Sequence, residues 1–173
     1  DLPNDPMWDK LWAFENTGQV IKIKDKETGK EKEFVGTPGS DIKVRDAWQY
    51  TKGSKDVVVA VIDTGVYYKH EDLVENIWKN EDEIEGNGID DDKNGFIDDV
   101  RGWNFSSSSP SPFPIGGGDD EPGNNDPIDA HIHGSHVSGT IGAMGNNGIG
   151  VTGVNWNVSI MPLRFLGEQG QGS

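Results

Sequence analysis

The sequence predicts an α/β domain with a central parallel sheet, and this prediction depends on two apolar segments and a small-residue segment between them. Residues 57–62 are continuously apolar and rich in β-branched side chains, as is typical of a parallel strand buried on both faces. Residues 158–165 are a second candidate buried strand. Residues 137–144 include Gly139 and Gly142, which allow a helix to approach a sheet closely. Strand, helix and strand in this order indicate a layered α/β domain.

The first 50 residues are expected to form an arm, a hairpin and a short helix. Residues 1–17 have few pattern signals and are interpreted as an irregular arm. Residues 20–25 and 30–35 alternate apolar and charged side chains around a Thr-Gly turn, which predicts an exposed β-hairpin. Asp41 is a candidate cap for a helix that ends before Gly53.

Composition limits the possible functions. The 173 residues fit one domain, and 30 acidic against 15 basic side chains, a net charge of −15, argue against a nucleic-acid partner. No segment is apolar for long enough to span a membrane, and without cysteine the chain has no disulfides.

Residues 103–118 are rich in Ser, Pro and Gly and predict an irregular surface segment. The glycine-rich residues 167–173 are interpreted as a cut within a loop.

Asp63 directly follows the first predicted strand. In open α/β sheets, chemistry is concentrated at the carboxyl ends of the strands. Asp63 is therefore a candidate functional carboxylate, with a helix cap or a turn as the alternative role.

Three histidines, His131, His133 and His136, precede and open the predicted small-residue helix. One interpretation is a zinc site, because the run is similar to the His-x-His-x-Asp-His pattern of metallo-β-lactamase-like hydrolases, although Ser135 stands in place of its Asp. The other is a general base, because His-Gly-Ser-His-Val-Ser-Gly-Thr resembles the His-Gly-Thr-His-Val-Ala-Gly-Thr signature of subtilases.

Further segments favour the second interpretation. Val-Ile-Asp63-Thr-Gly resembles the aspartate motif of subtilases, and Asp precedes His in their order. Residues 145–154 resemble the loop that these enzymes wrap around a tightly bound calcium ion, and residues 166–172 resemble one wall of their substrate cleft. Together these motifs resemble the N-terminal part of a subtilisin-like serine protease, which implies a three-layer subtilisin-like fold with a central parallel sheet.

The resemblance assigns roles to the candidate residues. Asp63 would orient His133 by a hydrogen bond, and His133 would act as the general base, while His131 and His136 are expected to be structural. Ile132 departs from the pattern, which has a small residue before this histidine. The implied substrate-binding residues are Leu166, Gly170, Gln171 and Gly172.

The nucleophile of such an enzyme is not found in this sequence. Neither Gly-Thr-Ser-Met-Ala nor Gly-x-Ser-x-Gly occurs among the 173 residues. We therefore expect residues 1–173 to be the N-terminal portion of one catalytic domain, with residues 51–173 as its core. A C-terminal chain or segment would supply the serine and the oxyanion hole, and this chain alone is expected to be inactive. The implied partners are peptide or protein substrates and a propeptide inhibitor, and the implied location is extracellular.

Calcium is predicted from an acidic segment within an insertion at residues 79–101. Nine of the 30 acidic side chains lie between Glu81 and Asp99. Residues 90–98 match the start of an EF-hand loop, but Arg101 stands where that loop has its bidentate Glu. The alternative is an Asn-Gly hairpin turn with solvated acids. The candidate ligands here are Asp90, Asp92, Asn94, Phe96 through its carbonyl, and Asp98 or Asp99.

A second calcium site is implied only by the resemblance. It would use the side chains of Asp72 and Asn147, the carbonyls of Gly145, Ile149 and Val151, and Asp5 from the arm. Both ions would be structural.

Overall fold

The computed structural model of the chain describes residues 2–106 and 123–171. Short 3₁₀ turns at Trp8–Lys10 and Val74–Asn76 accompany the regular elements. The strands and helices are β1 (Val20–Lys24), β2 (Glu31–Val35), α1 (Val44–Ala47), β3 (Gly53–Asp63), β4 (Trp103–Asn104), α2 (His133–Gly142) and β5 (Asn157–Arg164).

A parallel sheet with strand order β3-β5-β4 is at the centre of the fold. β5 lies between its two neighbours, and its register aligns Asp63 of β3 with Arg164. The strands therefore end at one edge of the sheet, next to each other. This arrangement confirms the α/β fold class.

The main apolar core lies between the sheet and α2. Val61, Val158 and Ile160 from the strands are buried with Val66 and Leu73. The small-residue helix begins at His133, within the histidine run expected to open it, and ends at Gly142 rather than at Met144. The histidine that the sequence nominates as general base is thus the first residue of the helix that covers the sheet.

The prediction that 57–62 is buried on both faces is wrong. Val61 is buried, but Val58 and Ile62 are 46% and 66% exposed. Alternate residues of a strand point to opposite faces, and in the described part of the chain α2 covers only the face that carries Val61. The continuous apolar run therefore leaves one face of β3 in contact with solvent.

An aromatic cluster joins the N-terminal arm to the rest of the fold. Phe14, Val44, Trp48 and Trp156 are buried together, and the rings of Trp48 and Trp156 meet edge-on with centroids 5.1 Å apart. Trp156 directly precedes β5, so the cluster ties the arm and α1 to the central sheet.

Of the remaining local predictions, the hairpin is confirmed and the helix cap is wrong. The hairpin forms as expected, with Val20 opposite Val35 in an antiparallel register. Asp41 does not cap α1, because its carboxylate accepts the backbone N–H of Asn16 and of Lys43 ahead of the helix.

No helix within residues 2–106 and 123–171 is long and apolar enough to cross a membrane.

The prediction that residues 103–118 are irregular is wrong for the first two residues. Trp103–Asn104 forms β4, which pairs with Leu163 and Arg164 of β5. Residues 107–118 of that segment lie outside the described residues.

Candidate active site

Asp63 is held firmly at the carboxyl end of β3. Its backbone carbonyl accepts the N–H groups of Phe165 and Leu166, which follow β5. One of its carboxylate oxygens, Oδ1, accepts the N–H of Thr64 at 2.7 Å. The carboxylate is only 13% exposed, so it is a largely buried negative charge that needs a partner.

His133 provides that partner. Its Nδ1 lies 2.8 Å from Oδ1 and 2.9 Å from Oδ2 of Asp63, across 70 residues of sequence. Because a carboxylate only accepts hydrogen bonds, Nδ1 carries the proton and Nε2 of a neutral ring is the acceptor. The side chain is 60% exposed, and Nε2 has no hydrogen-bond partner among the described residues.

Gly134 explains how α2 comes so close to the end of β3. A Cβ atom on Gly134 would lie 2.0 Å from the carbonyl oxygen of Gly65, a distance that no side chain can accommodate. In addition, the N–H of Gly134 donates to Oγ1 of Thr64 at 2.9 Å. The glycine after His133 therefore allows the helix start to contact the turn after Asp63.

Asp129 is a part of the site that the sequence analysis missed. Its Oδ1 accepts the hydroxyl of Thr64 and the N–H groups of His131 and Ile132. Its Oδ2 accepts the N–H and the hydroxyl of Ser135. An aspartate a few residues before a predicted helix was the available signal.

The environment of Asp129 also changes its acidity. Burial alone would raise its pKa, but hydrogen bonds from Ser135, His131 and Thr64 outweigh burial and hold the pKa of Asp129 below its ordinary value. The residue is therefore a carboxylate at neutral pH.

The other two histidines do not join His133 in a metal site. Among the described residues, the single group of three or more potential metal-binding side chains consists of Glu83, Asp90 and Asp92. The ring of His131 instead lies beside Gly170, 3.3 Å from where a Cβ atom on that glycine would be. The structure gives the zinc interpretation no support.

The residues predicted to bind substrate follow β5 near the candidate pair. Leu166 is half-buried, and its N–H is bonded to Asp63. Gly170 and Gln171 belong to a turn in which the N–H of Gly167 donates to the carbonyl of Gln171. Gly172 lies outside the described residues.

The structure brings the arm and the loop at 145–151 together, as the second calcium prediction requires. The N–H of Asn146 donates to Oδ2 of Asp5 at 2.8 Å. The side chain of Asn147 donates to Oδ1 of Asp72, and the N–H of Val151 donates to Oδ2 of Asp72. Asp5 and Asp72 are both 3% exposed.

The donor set of this loop suits a hard cation. Oδ1 of Asp5 is buried and has no hydrogen-bond partner in the described part of the chain. The carbonyls of Gly145, Ile149 and Val151 accept no backbone N–H from the described residues. Buried oxygens without partners are unfavourable, and an all-oxygen set of this kind is what calcium prefers.

The acidic insertion is arranged differently from its prediction. Asp90 and Asp92 come together with Glu83, which the sequence analysis did not nominate. Asp99 lies beside them, because Asn80 donates to both Asp92 and Asp99. The amide of Asn80 also holds the pKa of Asp92 below its ordinary value.

Asp98 is not brought into this group. Its carboxylate accepts the N–H groups of Gly86, Asn87 and Gly88, so its oxygens are used to close that turn. The side chain of Asn94 donates to Asp92 and Asp99. The ring of Phe96 lies against that of Trp103, with centroids 5.0 Å apart, which fixes the loop to β4.

Comparisons with known proteins cover the whole site. The sequence model of the Subtilase family matches residues 54–173. "Subtilisin-like protease 1" of Plasmodium berghei is 41% identical over 120 residues, which are 69% of this chain and 18% of that protein. "Halolysin-like extracellular serine protease Nep" of Natrialba magadii is 27% identical over 173 residues, which are 100% of this chain and 22% of that protein.

Solved structures show the same likeness. A protease from Pseudoalteromonas arctica PAMC 21717 has a TM-score of 0.58 and 26% identity, over 98% of this chain and 40% of that chain. The chain spans about a fifth of the length of the curated relatives it matches.

Proposed function

Because the chain belongs to the Subtilase family, as the match over residues 54–173 shows, we propose that it supplies two members of a catalytic triad that hydrolyses peptide bonds. Asp63 and His133 are the aspartate and the histidine. The observation that carries this proposal is the hydrogen bond between Nδ1 of His133 and the carboxylate of Asp63, at 2.8 Å and 2.9 Å.

The geometry supports a defined path for the proton. With Nδ1 engaged by Asp63, Nε2 of His133 is the basic nitrogen, and it accepts the proton of a serine hydroxyl as that oxygen attacks the peptide carbonyl. The imidazolium that results is stabilised by the largely buried carboxylate of Asp63. His133 then donates the proton to the leaving amine, and a water molecule releases the acyl group by the same sequence of steps.

The serine and the oxyanion donors come, in this proposal, from a C-terminal segment of the same protease. The exposed face of β3 supports such a partner, since Val58 and Ile62 are 46% and 66% exposed. β3 is also an edge strand of the described sheet, and an unpaired edge can bind another chain. The chain alone does not hydrolyse peptides in this account.

The substrates are peptides or proteins. We propose that Leu166, Gly170, Gln171 and Gly172 form one wall of their binding cleft. Support comes from the hydrogen bond that the N–H of Leu166 donates to the carbonyl of Asp63, which brings the start of this segment next to the candidate pair. An extracellular location is proposed from the relative in Natrialba magadii that is named as extracellular.

A fluorophosphonate probe tests the proposed activity, because it labels a serine only when a base activates it. The assembled protease, meaning this chain with its serine-bearing segment, is expected to be labelled and to hydrolyse a peptide. His133→Ala should lower the labelling rate by at least about 10²-fold, whereas His136→Ala, three residues along α2, should label normally. An unlabelled assembly, or equal losses in both variants, would contradict the proposal.

Calcium has a structural role in this proposal. Asp5, Asp72, Asn147 and the carbonyls of Gly145, Ile149 and Val151 would hold one ion. Glu83, Asp90, Asp92 and Asp99 would hold another, with Asn94 and the carbonyl of Phe96. A bound cation would satisfy the buried oxygen of Asp5 and reduce the repulsion within the acidic insertion.

The two metal proposals differ in how activity is restored after chelation. A chelator should inactivate the assembled protease, because the calcium loops lose their cations. Calcium should restore its activity and zinc should not. Recovery with zinc alone would favour the histidine-zinc interpretation instead.

A further inference from the structure

Ile132 has an unusual backbone conformation immediately before His133. Its φ is 80° and its ψ is −21°, in the left-handed region, which β-branched residues strongly disfavour. The side chain is 80% exposed, so no apolar packing compensates for this conformation. Some other interaction must therefore hold the turn.

Asp129 provides that interaction. The N–H groups of His131 and Ile132 both donate to its Oδ1, at 2.8 Å and 2.9 Å. The N–H of Ser135, in the first turn of α2, donates to its Oδ2 at 2.9 Å. One carboxylate thus binds the backbone on both sides of His133.

Thr64 connects this carboxylate to the other half of the site. Its hydroxyl donates to Asp129 at 2.9 Å and accepts the N–H of Gly134 at 2.9 Å. Its own N–H donates to Asp63 at 2.7 Å. Asp129, Thr64, Asp63 and His133 are therefore linked in one network, in which Asp129 bonds the backbone on both sides of His133 and the imidazole bonds Asp63.

From this network we propose that Asp129 is a positioning residue, which holds the strained turn at Ile132 and so keeps the imidazole of His133 against Asp63. The inference deepens the proposed protease function and rests on it. Hydrogen bonds to a carboxylate are stronger than those between neutral groups, which suits Asp129 to holding an unfavourable backbone conformation.

Asp129 also places a negative charge at the N-terminus of α2. A helix N-terminus carries a partial positive charge, which disfavours a protonated imidazole on its first residue. Asp129 offsets this charge. Among the described residues, the other titratable groups near this helix start are Asp63, which bonds His133, His131 and His136 on either side of His133, and His70, which lines the same cavity as Ser135 and His136.

Asp129→Asn in the assembled protease tests the proposal. An amide can replace one acceptor oxygen, but its NH₂ group cannot accept the N–H of Ser135. We expect kcat to fall about 10- to 100-fold with KM changed less than about twofold, because a misplaced base slows the reaction without weakening substrate binding. The lower pH limit of kcat/KM should move down by about 0.5 pH unit, since the imidazolium loses a stabilising charge.

Asp126→Asn is the matched control. Asp126 lies in the same loop, is exposed, and accepts the hydroxyl of Tyr68 rather than a group of this network. It removes the same charge, and both kcat and the pH limit should stay near their wild-type values. Unchanged kcat and pH limit in Asp129→Asn, or equal changes in the two variants, would overturn the proposal.

A rescue experiment separates the turn from the overall stability of the protein. Ile132→Gly removes the conformational penalty of the left-handed turn. Added to Asp129→Asn, it should therefore raise kcat at least about threefold above that of Asp129→Asn alone. No restoration would contradict the role in holding the turn. If Asp129→Asn does not fold, Ser135→Ala removes one donor to the carboxylate and should lower kcat about two- to fivefold; an unchanged kcat would then count against the proposal.

Labelling of the wild-type assembly by a fluorophosphonate keeps the two proposals distinguishable. An unlabelled wild type would refute the protease function itself. A labelled wild type with a fully active Asp129→Asn variant would refute only the role of Asp129.

Discussion

At the scale of single residues, Ser138 shows how a polar group can lower stability. It is 0% exposed on the inner side of α2, and its hydroxyl has no hydrogen-bond partner among the described residues. Ser135, one turn earlier, uses its hydroxyl to bind Asp129. Two serines of one helix therefore differ in whether their hydroxyl is satisfied.

This difference predicts opposite effects of two equal substitutions. Ser138→Ala should raise the free energy of unfolding by about 1 kcal/mol, because it removes a buried group without a partner. Ser135→Ala should lower it by about 1 kcal/mol, because the carboxylate of Asp129 loses a donor. Chemical denaturation measures both, and a destabilised Ser138→Ala would contradict the account.

Single residues also mark how far the sequence could be interpreted. Asp63 and His133 were nominated because each lies within a segment that resembles a subtilase motif, and the structure places them in contact. Asp129 and Glu83 could not be ranked in this way, since their partners are backbone amides. A sequence does not show which of many acidic residues will meet such amides.

At the scale of elements, α2 depends on where its glycines face. A Cβ atom on Gly142 would lie 2.4 Å from Cγ1 of Val158, inside the core. A Cβ atom on Gly139 would meet nothing within 4 Å. Gly142 is required for packing against the sheet and Gly139 is not, so the prediction that both glycines allow the close approach is wrong for Gly139.

The two glycines form a matched pair for mutation. Gly142→Ala should destabilise the protein by about 1–3 kcal/mol through overpacking. Gly139→Ala should stabilise it by about 0.5–1 kcal/mol, since alanine favours a helix. Thermal unfolding checks both, and a neutral Gly142→Ala would mean that α2 does not approach β5 as closely as described.

The elements themselves were mostly predictable. The hairpin, β3, α2 and β5 each carry a local pattern of apolar or small residues, and all of them form. The exposure of one face of β3 could not be predicted, because a continuous apolar run is equally compatible with one covered face or two. β4 was missed because its two residues pair only by tertiary contact with β5.

At the scale of the whole molecule, the N-terminal arm is joined to a distant loop by hydrogen bonds between Asn4, Asp5 and Met7 and residues 146–150. Asp5 accepts the N–H of Asn146 across 141 residues, and its second oxygen is buried without a partner among the described residues. In the proposed function a calcium ion completes this junction. The stability of the molecule should then depend on calcium through Asp5.

Asp5→Asn tests that dependence. Calcium should raise the Tm of the wild-type assembly, and this increase should shrink by at least half in Asp5→Asn, because ligand binding stabilises only the state that binds. Asp9→Asn, an exposed position in the same arm, should keep the full increase. An equal increase in all three proteins would remove Asp5 from the proposed site.

The most direct test of the central claim is a double-mutant comparison of kcat/KM in the assembled protease. If Asp63 and His133 act as one unit, then Asp63→Ala, His133→Ala and the double variant should not have additive effects. The double variant should lose no more than about tenfold beyond His133→Ala alone. Losses that multiply, or activity that survives His133→Ala, would contradict the assignment of this pair.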